Sequence, residues 1–184
     1  MKTRVLILIV LVILAAVFGY LSWDRGAKLE MPSEALDARS LRNAGYLSES
    51  AESGRVQLQE GKLVDEAAHV WVTMLNVVAY GDLNGDGHPD AAVILATNTG
   101  GSGVFHDLAV VVDRAGRPVN VAITNIGDRV KINSIAMDNE RIILDMVTQG
   151  PSDPMCCPTN HVIQKYELRG GTLVLVDETP ISED

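Results

Sequence analysis

"WVTMLNVVAYGDLNGDGHPDAAVILATN", residues 71 to 98, sets an acidic, glycine-rich turn between two apolar runs. Val77 to Tyr80 lead into it and Ala91 to Leu95 lead out. Short apolar runs separated by turn residues read as two buried strands. The same alternation of strand and turn continues on both sides. "RVQLQEGKLVDE" reads as two short strands around a Glu60-Gly61 turn. "FHDLAVVVD" turns at Ala115-Gly116 into "PVNVAITN", where Val119, Val121 and Ile123 alternate with polar or small residues. "VKINSIAM" and "RIILDMVTQ" are separated by Asp138-Asn139-Glu140, and "HVIQKYEL" turns through Gly170-Gly171 into "TLVLVDE". Turn signals this closely spaced predict a mainly β, antiparallel single domain of sandwich or barrel type. After Gly45 no helical pattern reaches ten residues, which argues against a parallel sheet with crossover helices.

The N-terminal part reads differently. From Val5 to Leu21 every residue is apolar, glycine or tyrosine, and Lys2 and Arg4 precede the run. Such a run is a membrane anchor or a secretory signal. Its seventeen residues, or about nineteen with Ser22 and Trp23, are at the short end for a bilayer span and longer than a usual signal core. No Ala-x-Ala cleavage site follows, and Tyr20 and Trp23 sit where an interfacial aromatic belt would. The expectation is therefore an uncleaved anchor over 1–23 in a bacterial inner membrane, with the bulk of the chain periplasmic or extracellular. The alternative is secretion after signal cleavage. Residues 24–32 read as a linker and 33–179 as the β domain, opened by a short helix over 34–44 with Ser33 as N-cap. Residues 180–184 read as an acidic tail.

Charge favours a soluble exported portion. Lys2, Arg4, Arg25 and Lys28 against Asp24 give the first 28 residues +3, so with −9 overall the remainder carries −12. A domain so acidic repels nucleic acid. The only cysteines, Cys156 and Cys157, are adjacent, so no disulfide joins distant segments and no zinc spacing is present.

Counted from Asp82 as position one, Asn84 is three, Asp86 five, Gly87 six, His88 seven and Asp90 nine. Calcium takes six to eight hard oxygen ligands, and alternate side chains of a tightly curled loop can aim their oxygens at one centre. The assignment is Ca2+ with Asp82, Asn84, Asp86 and Asp90 as side-chain ligands and His88 through its backbone oxygen. A plain acidic hairpin accounts for Asn84 to Gly87 but not for the two aspartates at the loop ends, which crowd charge together. Position twelve is Val93, where an EF-hand would carry a bidentate glutamate, and the flanks are strands. The loop resembles the calcium hairpins of FG-GAP and integrin-type propeller blades and the loop half of a dockerin repeat, a likeness confined to about ten residues.

Other stretches carry weaker signals. "TNTGGSGVF" (97–105) is glycine-rich, but no lysine or helix follows, so it is a hairpin loop rather than a phosphate cradle. In "GPSDPMCCPTNH" (150–161) Cys156 and Cys157 suit a vicinal disulfide or, when reduced, a soft-metal site with His161. His69, His106 and His161 lie near strand ends with no motif linking them, and Arg129 in "GDRVKINS" suits an acidic partner. No catalytic motif stands out.

Taken in order, "YGDLNGDGHPDAAVIL", "GGSGVFHDLAVVV", "GDRVKINSIAM" and "GPSDPMCCPT" resemble a group of small exported bacterial proteins over roughly residues 40–176. That resemblance implies export and a shared fold and carries no activity. The expected role is a membrane-tethered, calcium-binding module of the cell envelope that binds a partner protein or surface ligand, with the glycine-rich and Cys-Cys loops as its contact surface. The rival is an envelope hydrolase, or a thiol-dependent enzyme or redox sensor, whose calcium is structural. A cleft joining His106 or His161 to a carboxylate or thiol would favour the rival.

Overall fold

The run Ala91–Leu95 has five apolar residues in succession because its strand is covered on both faces. Ala91, Val93 and Leu95 enter one core, and Ala92 and Ile94 enter another. A strand buried on one side only would alternate; one buried on both reads as continuous apolar sequence. The computed structural model describes residues 36–181. Around this strand it builds three antiparallel sheets.

The strands are β1 (Gly45–Leu47), β2 (Arg55–Gln57), β3 (Lys62–Asp65), β4 (Val70–Gly81), β5 (Asp90–Asn98), β6 (Phe105–Asp113), β7 (Pro118–Asp128), β8 (Lys131–Asp138), β9 (Arg141–Thr148), β10 (Asn160–Arg169) and β11 (Thr172–Pro180). The order β3-β4-β5-β6-β7 forms a five-stranded sheet, β11-β10-β9-β8 a four-stranded one and β1-β2 a small third. Both larger sheets are meanders, so chain neighbours are sheet neighbours. Ala92, Ile94, Leu108 and Val110 of the central sheet pack with Ile142, Leu144, Met146 and Val162 of the four-stranded sheet. On the other face, Val93, Leu95, Ala109 and Val111 pack with Leu36, Leu41, Tyr46, Val56 and Leu58.

The turns fall where the sequence placed them. Glu60-Gly61, Ala115-Gly116, Asn139-Glu140 and Gly170-Gly171 all have positive φ at both residues. Two-residue hairpins of type I′ need that geometry, and their twist matches the strands on either side. Long strands keep their faces across irregularities. In β4, Met74 pairs with Leu95 and Val78 with Val93, so two extra residues are accommodated. An even insertion leaves Met74 and Val78 on the same face, where an odd one would have turned the strand over.

Several expectations change. Of the helix expected over 34–44, the described residues carry one turn, α1 (Ala38–Leu41), capped by Asp37, whose Oδ1 accepts the Ser40 N–H at 2.7 Å. Ser33 lies outside the described residues, as do the apolar run and the linker. Gly45 opens β1 instead of stopping a helix, because Tyr46 buries its ring in the second core and donates its hydroxyl to the Leu41 carbonyl at 2.8 Å. The strands flanking Glu60-Gly61 share a single bridge, Gln59 with Lys62, and then part: β2 pairs with β1 and β3 with β4. Pro180 belongs to β11 rather than to a tail, and Ile181 N–H donates to the His161 carbonyl at 2.8 Å. Among the described residues no helix is long and apolar enough to cross a membrane.

Candidate functional site

The acidic loop joins β4 to β5 and is wound on its own carboxylates. Asp82 Oδ1 accepts the Gly85 and Asp86 N–H groups at 2.7 and 3.1 Å, and its Oδ2 accepts that of Gly87 at 2.8 Å. Asn84 Oδ1 accepts from Asp86 N at 2.8 Å, and Asp86 Oδ1 from His88 N at 2.9 Å. Asp90 closes the loop: its Oδ2 accepts from Leu83 N at 3.0 Å and Asn84 N at 3.2 Å. Gly85 and Gly87 supply the left-handed turns, at φ 75° and 83°. Short Asn and Asp side chains hold a turn in this way by accepting from backbone N–H groups just ahead.

Asp82, Asn84, Asp86 and Asp90 thus share one small loop, with His88 exposed at its tip. Their oxygens engage N–H groups of the loop's own backbone. Among the described residues no three His, Cys, Asp or Glu side chains form a group placed to hold a metal. The electrostatics of the loop are nonetheless unbalanced. Asp90 is 1% exposed, and none of Asp82, Asp86 or Asp90 is among the ion pairs of the described residues. Burial pushes the Asp90 carboxyl up to about 6, and the charges of Asp86 and Asp82 push the same way against two backbone hydrogen bonds.

At the other end of β5, about 30 Å away at ~3.3 Å per residue, three loops that are distant in sequence meet on Arg129. Its backbone N–H donates to the Val104 carbonyl at 2.7 Å. Its guanidinium pairs with Asp128 and donates to the Met155 carbonyl at 2.9 Å and to the Ser102 carbonyl. Asp128 Oδ1 in turn accepts from Val104 N at 2.7 Å. The glycine-rich loop and the Cys-Cys loop are therefore side by side, a juxtaposition that spacing could not reveal. Within the latter, Asp153 gathers Gly150 N, Thr159 N and the Thr159 hydroxyl at 2.7, 2.7 and 2.8 Å. Cys156 and Cys157 are bonded to each other there.

The histidines do not converge. His106 is 7% exposed, faces the core between the two large sheets, and has a buried Nδ1 with no hydrogen-bond partner. Burial lowers its pKa. His161 Nε2 lies 2.8 Å from Asp145 Oδ1, which also accepts from Asn133 Nδ2 at 2.8 Å. The Asn133 hydrogen bond, followed by that of His161, holds the Asp145 carboxyl below the usual range. His69 stands apart, tilted against Trp71 with ring centroids 6.2 Å apart. Comparison with protein-family models, characterised proteins and solved structures gives no match.

Proposed function

We propose that this is a calcium-stabilised binding module of the bacterial cell envelope, tethered by its N-terminal apolar run, with the bulk of the chain exported. The observation that carries the calcium reading is Asp90. A carboxylate almost wholly out of water, beside two more and with no ion-pair partner among the described residues, is costly unless a cation joins it. The loop is curled by Gly85 and Gly87, and Asp86 Oδ2 has no partner among the described residues. Calcium would draw Asp82, Asn84, Asp86 and Asp90 inward together with the His88 carbonyl. Millimolar calcium outside a cytoplasm can fill even a weak site of this kind. The stiff end of the domain, where Arg129 clamps the glycine-rich and Cys-Cys loops, is the contact surface for an envelope protein or surface ligand.

The test is calorimetric titration of calcium into the chelator-stripped full chain in detergent, with Asp86→Ala alongside. One-to-one binding that the variant loses is the expected result. No heat at millimolar calcium, with an unchanged melting temperature, would make the loop an acidic hairpin only.

A second reading, an envelope hydrolase with structural calcium, is favoured by one observation, the 2.8 Å pairing of His161 with Asp145. Both side chains face outward from the four-stranded sheet, partly exposed, and the disulfide occupies both thiols. A hydrolytic activity abolished by His161→Ala would establish that reading.

A further inference from the structure

On the face of the central sheet that carries the second core, the apolar side chains give out toward the far end of β5. Thr97 follows Ala91, Val93 and Leu95 along that face, and its cross-strand partner is Phe105. Asp107, two residues along β6, pairs with Asn125 of β7. The loop after β1 hangs over these residues with Glu49 and Ser50, enclosing a cleft of about 260 Å³. We propose that this cleft binds a primary ammonium group on a short aliphatic chain, held by the Glu49 and Asp107 carboxylates against the Phe105 ring and the Thr97 hydroxyl.

Four observations support this assignment. Thr97 is 5% exposed and lines the cleft, and its side-chain hydroxyl has no hydrogen-bond partner among the described residues. That hydroxyl is not among the buried unpartnered atoms, so it opens to the cleft, where a ligand N–H can donate to it. Asp107 uses Oδ1 on the Asn125 Nδ2 at 2.9 Å, which leaves Oδ2 for a donor. Neither Asp107 nor Glu49 takes part in an ion pair among the described residues, and no basic side chain lines the cleft. The lining thus carries two negative charges and acceptor oxygens, which suit a cation with several N–H donors.

Phe105 supplies the remaining contact. It is 43% exposed, and its ring lies so close to Gly103 that a Cβ there would be 3.1 Å from Cε2. The glycine of the "GGSG" loop therefore lets the ring lie against the backbone while it lines the cleft, and a cation seated over its face would be attracted to it. The volume is below the roughly 300–1,000 Å³ of drug-sized pockets. It suits a ligand headgroup rather than a whole large molecule. Burial also raises the Asp107 carboxyl, as does the charge of Glu49, as expected for two carboxylates sharing a site that lacks its cation.

Amide chemical shifts of the 15N-labelled full chain in a non-ionic detergent would test this. Butane-1,4-diamine stands for a free amine, Nα-acetyl-lysine amide for a lysine side chain, and glycerol for a neutral hydroxyl ligand. Shifts centred on Thr97, Phe105, Asp107 and Asn125 with either amine, and none with glycerol, are expected, and the tighter amine identifies the source. Glu49→Gln, on an exposed loop and so safe for folding, should weaken binding about ten-fold through loss of one charge-assisted hydrogen bond. Asp107→Asn should weaken it at least as much. Absence of shifts at ~10 mM amine, enough to fill a millimolar site, overturns the proposal. So would equal shifts with glycerol, unchanged affinity in Glu49→Gln, or shifts confined to residues 82–90, which would signify general attraction to an acidic domain.

Discussion

Replacing Asp90 by asparagine separates the two states of the acidic loop, because the same substitution should stabilise the protein without calcium and disable it with calcium. The Asp90 carboxyl titrates at about 6 in the fold against an ordinary 3.8. Its pKa is raised, so the stability contributed by the protonated form is complete below pH 3.8 and is lost as the pH rises through 6. At about 1.4 kcal/mol per pH unit, ionised Asp90 costs folding ~3 kcal/mol at neutral pH. Asparagine removes that charge and can place Oδ1 where Oδ2 accepts from Leu83 N and Asn84 N. Those bonds weaken when the acceptor becomes neutral, which returns about 1–2 kcal/mol. The net expectation in chelator is a gain of roughly 1–2 kcal/mol, or ~2–8 °C in melting temperature for a domain of this size. With calcium at a hundred times its Kd the wild type should gain about 2.7 kcal/mol, and the variant, short of one anionic ligand, much less. The stability order should therefore invert between chelator and calcium in paired circular-dichroism melts at pH 7.5. A variant less stable than wild type in chelator, or an equal calcium response in both proteins, refutes the electrostatic account of the loop.

Three further outcomes are expected. Asn120 is 2% exposed and spans two elements: its Oδ1 accepts from Leu47 N, and its Nδ2 donates to the Val110 and Ala122 carbonyls, all at 2.8 Å. Asn120→Ala leaves those groups unsatisfied and should cost about 2–4 kcal/mol in urea unfolding. His106 has a lowered pKa through burial, so its contribution is complete above an ordinary 6.5 and is lost as the pH falls below that value. His106→Phe should flatten the stability profile between pH 7 and 5, and an unchanged slope would contradict the burial argument. Reducing the Cys156–Cys157 bond should add two hydrogens by intact mass yet move the melting temperature by no more than about 1–2 °C, because a bridge between neighbours closes almost no chain loop.

How far the sequence reaches depends on the range of each interaction. Strand positions and turn pairs were legible because they follow from the preferences of a few adjacent residues: β5 and β6 begin and end where the apolar pattern does, and the four two-residue turns sit on the expected pairs. The curl of 82–90 was equally legible, since its hydrogen bonds span no more than seven residues. The convergence of its oxygens on a calcium ion is an inference from spacing and belongs to the proposal; what the structure adds is the backbone N–H bonds that wind the loop. The strand β1 was missed because three residues after a turn carry no periodicity of their own; only the burial of Tyr46 in the second core defines it.

By itself, then, the sequence determined the antiparallel β class, the turns, the acidity and the wound acidic loop, all products of local conformational preference. Tertiary structure alone decided that β2 leaves β3 for β1, that the central sheet is covered on both faces, and that Arg129 links loops 26 and 27 residues away. It also decided that Thr97, Phe105 and Asp107 share a cleft with Glu49. Many carbonyls could accept from one guanidinium and many strands could pair with another. The choice falls to whichever arrangement buries the most apolar surface while leaving the fewest buried polar groups unpartnered, a property of the whole chain and of no segment in it.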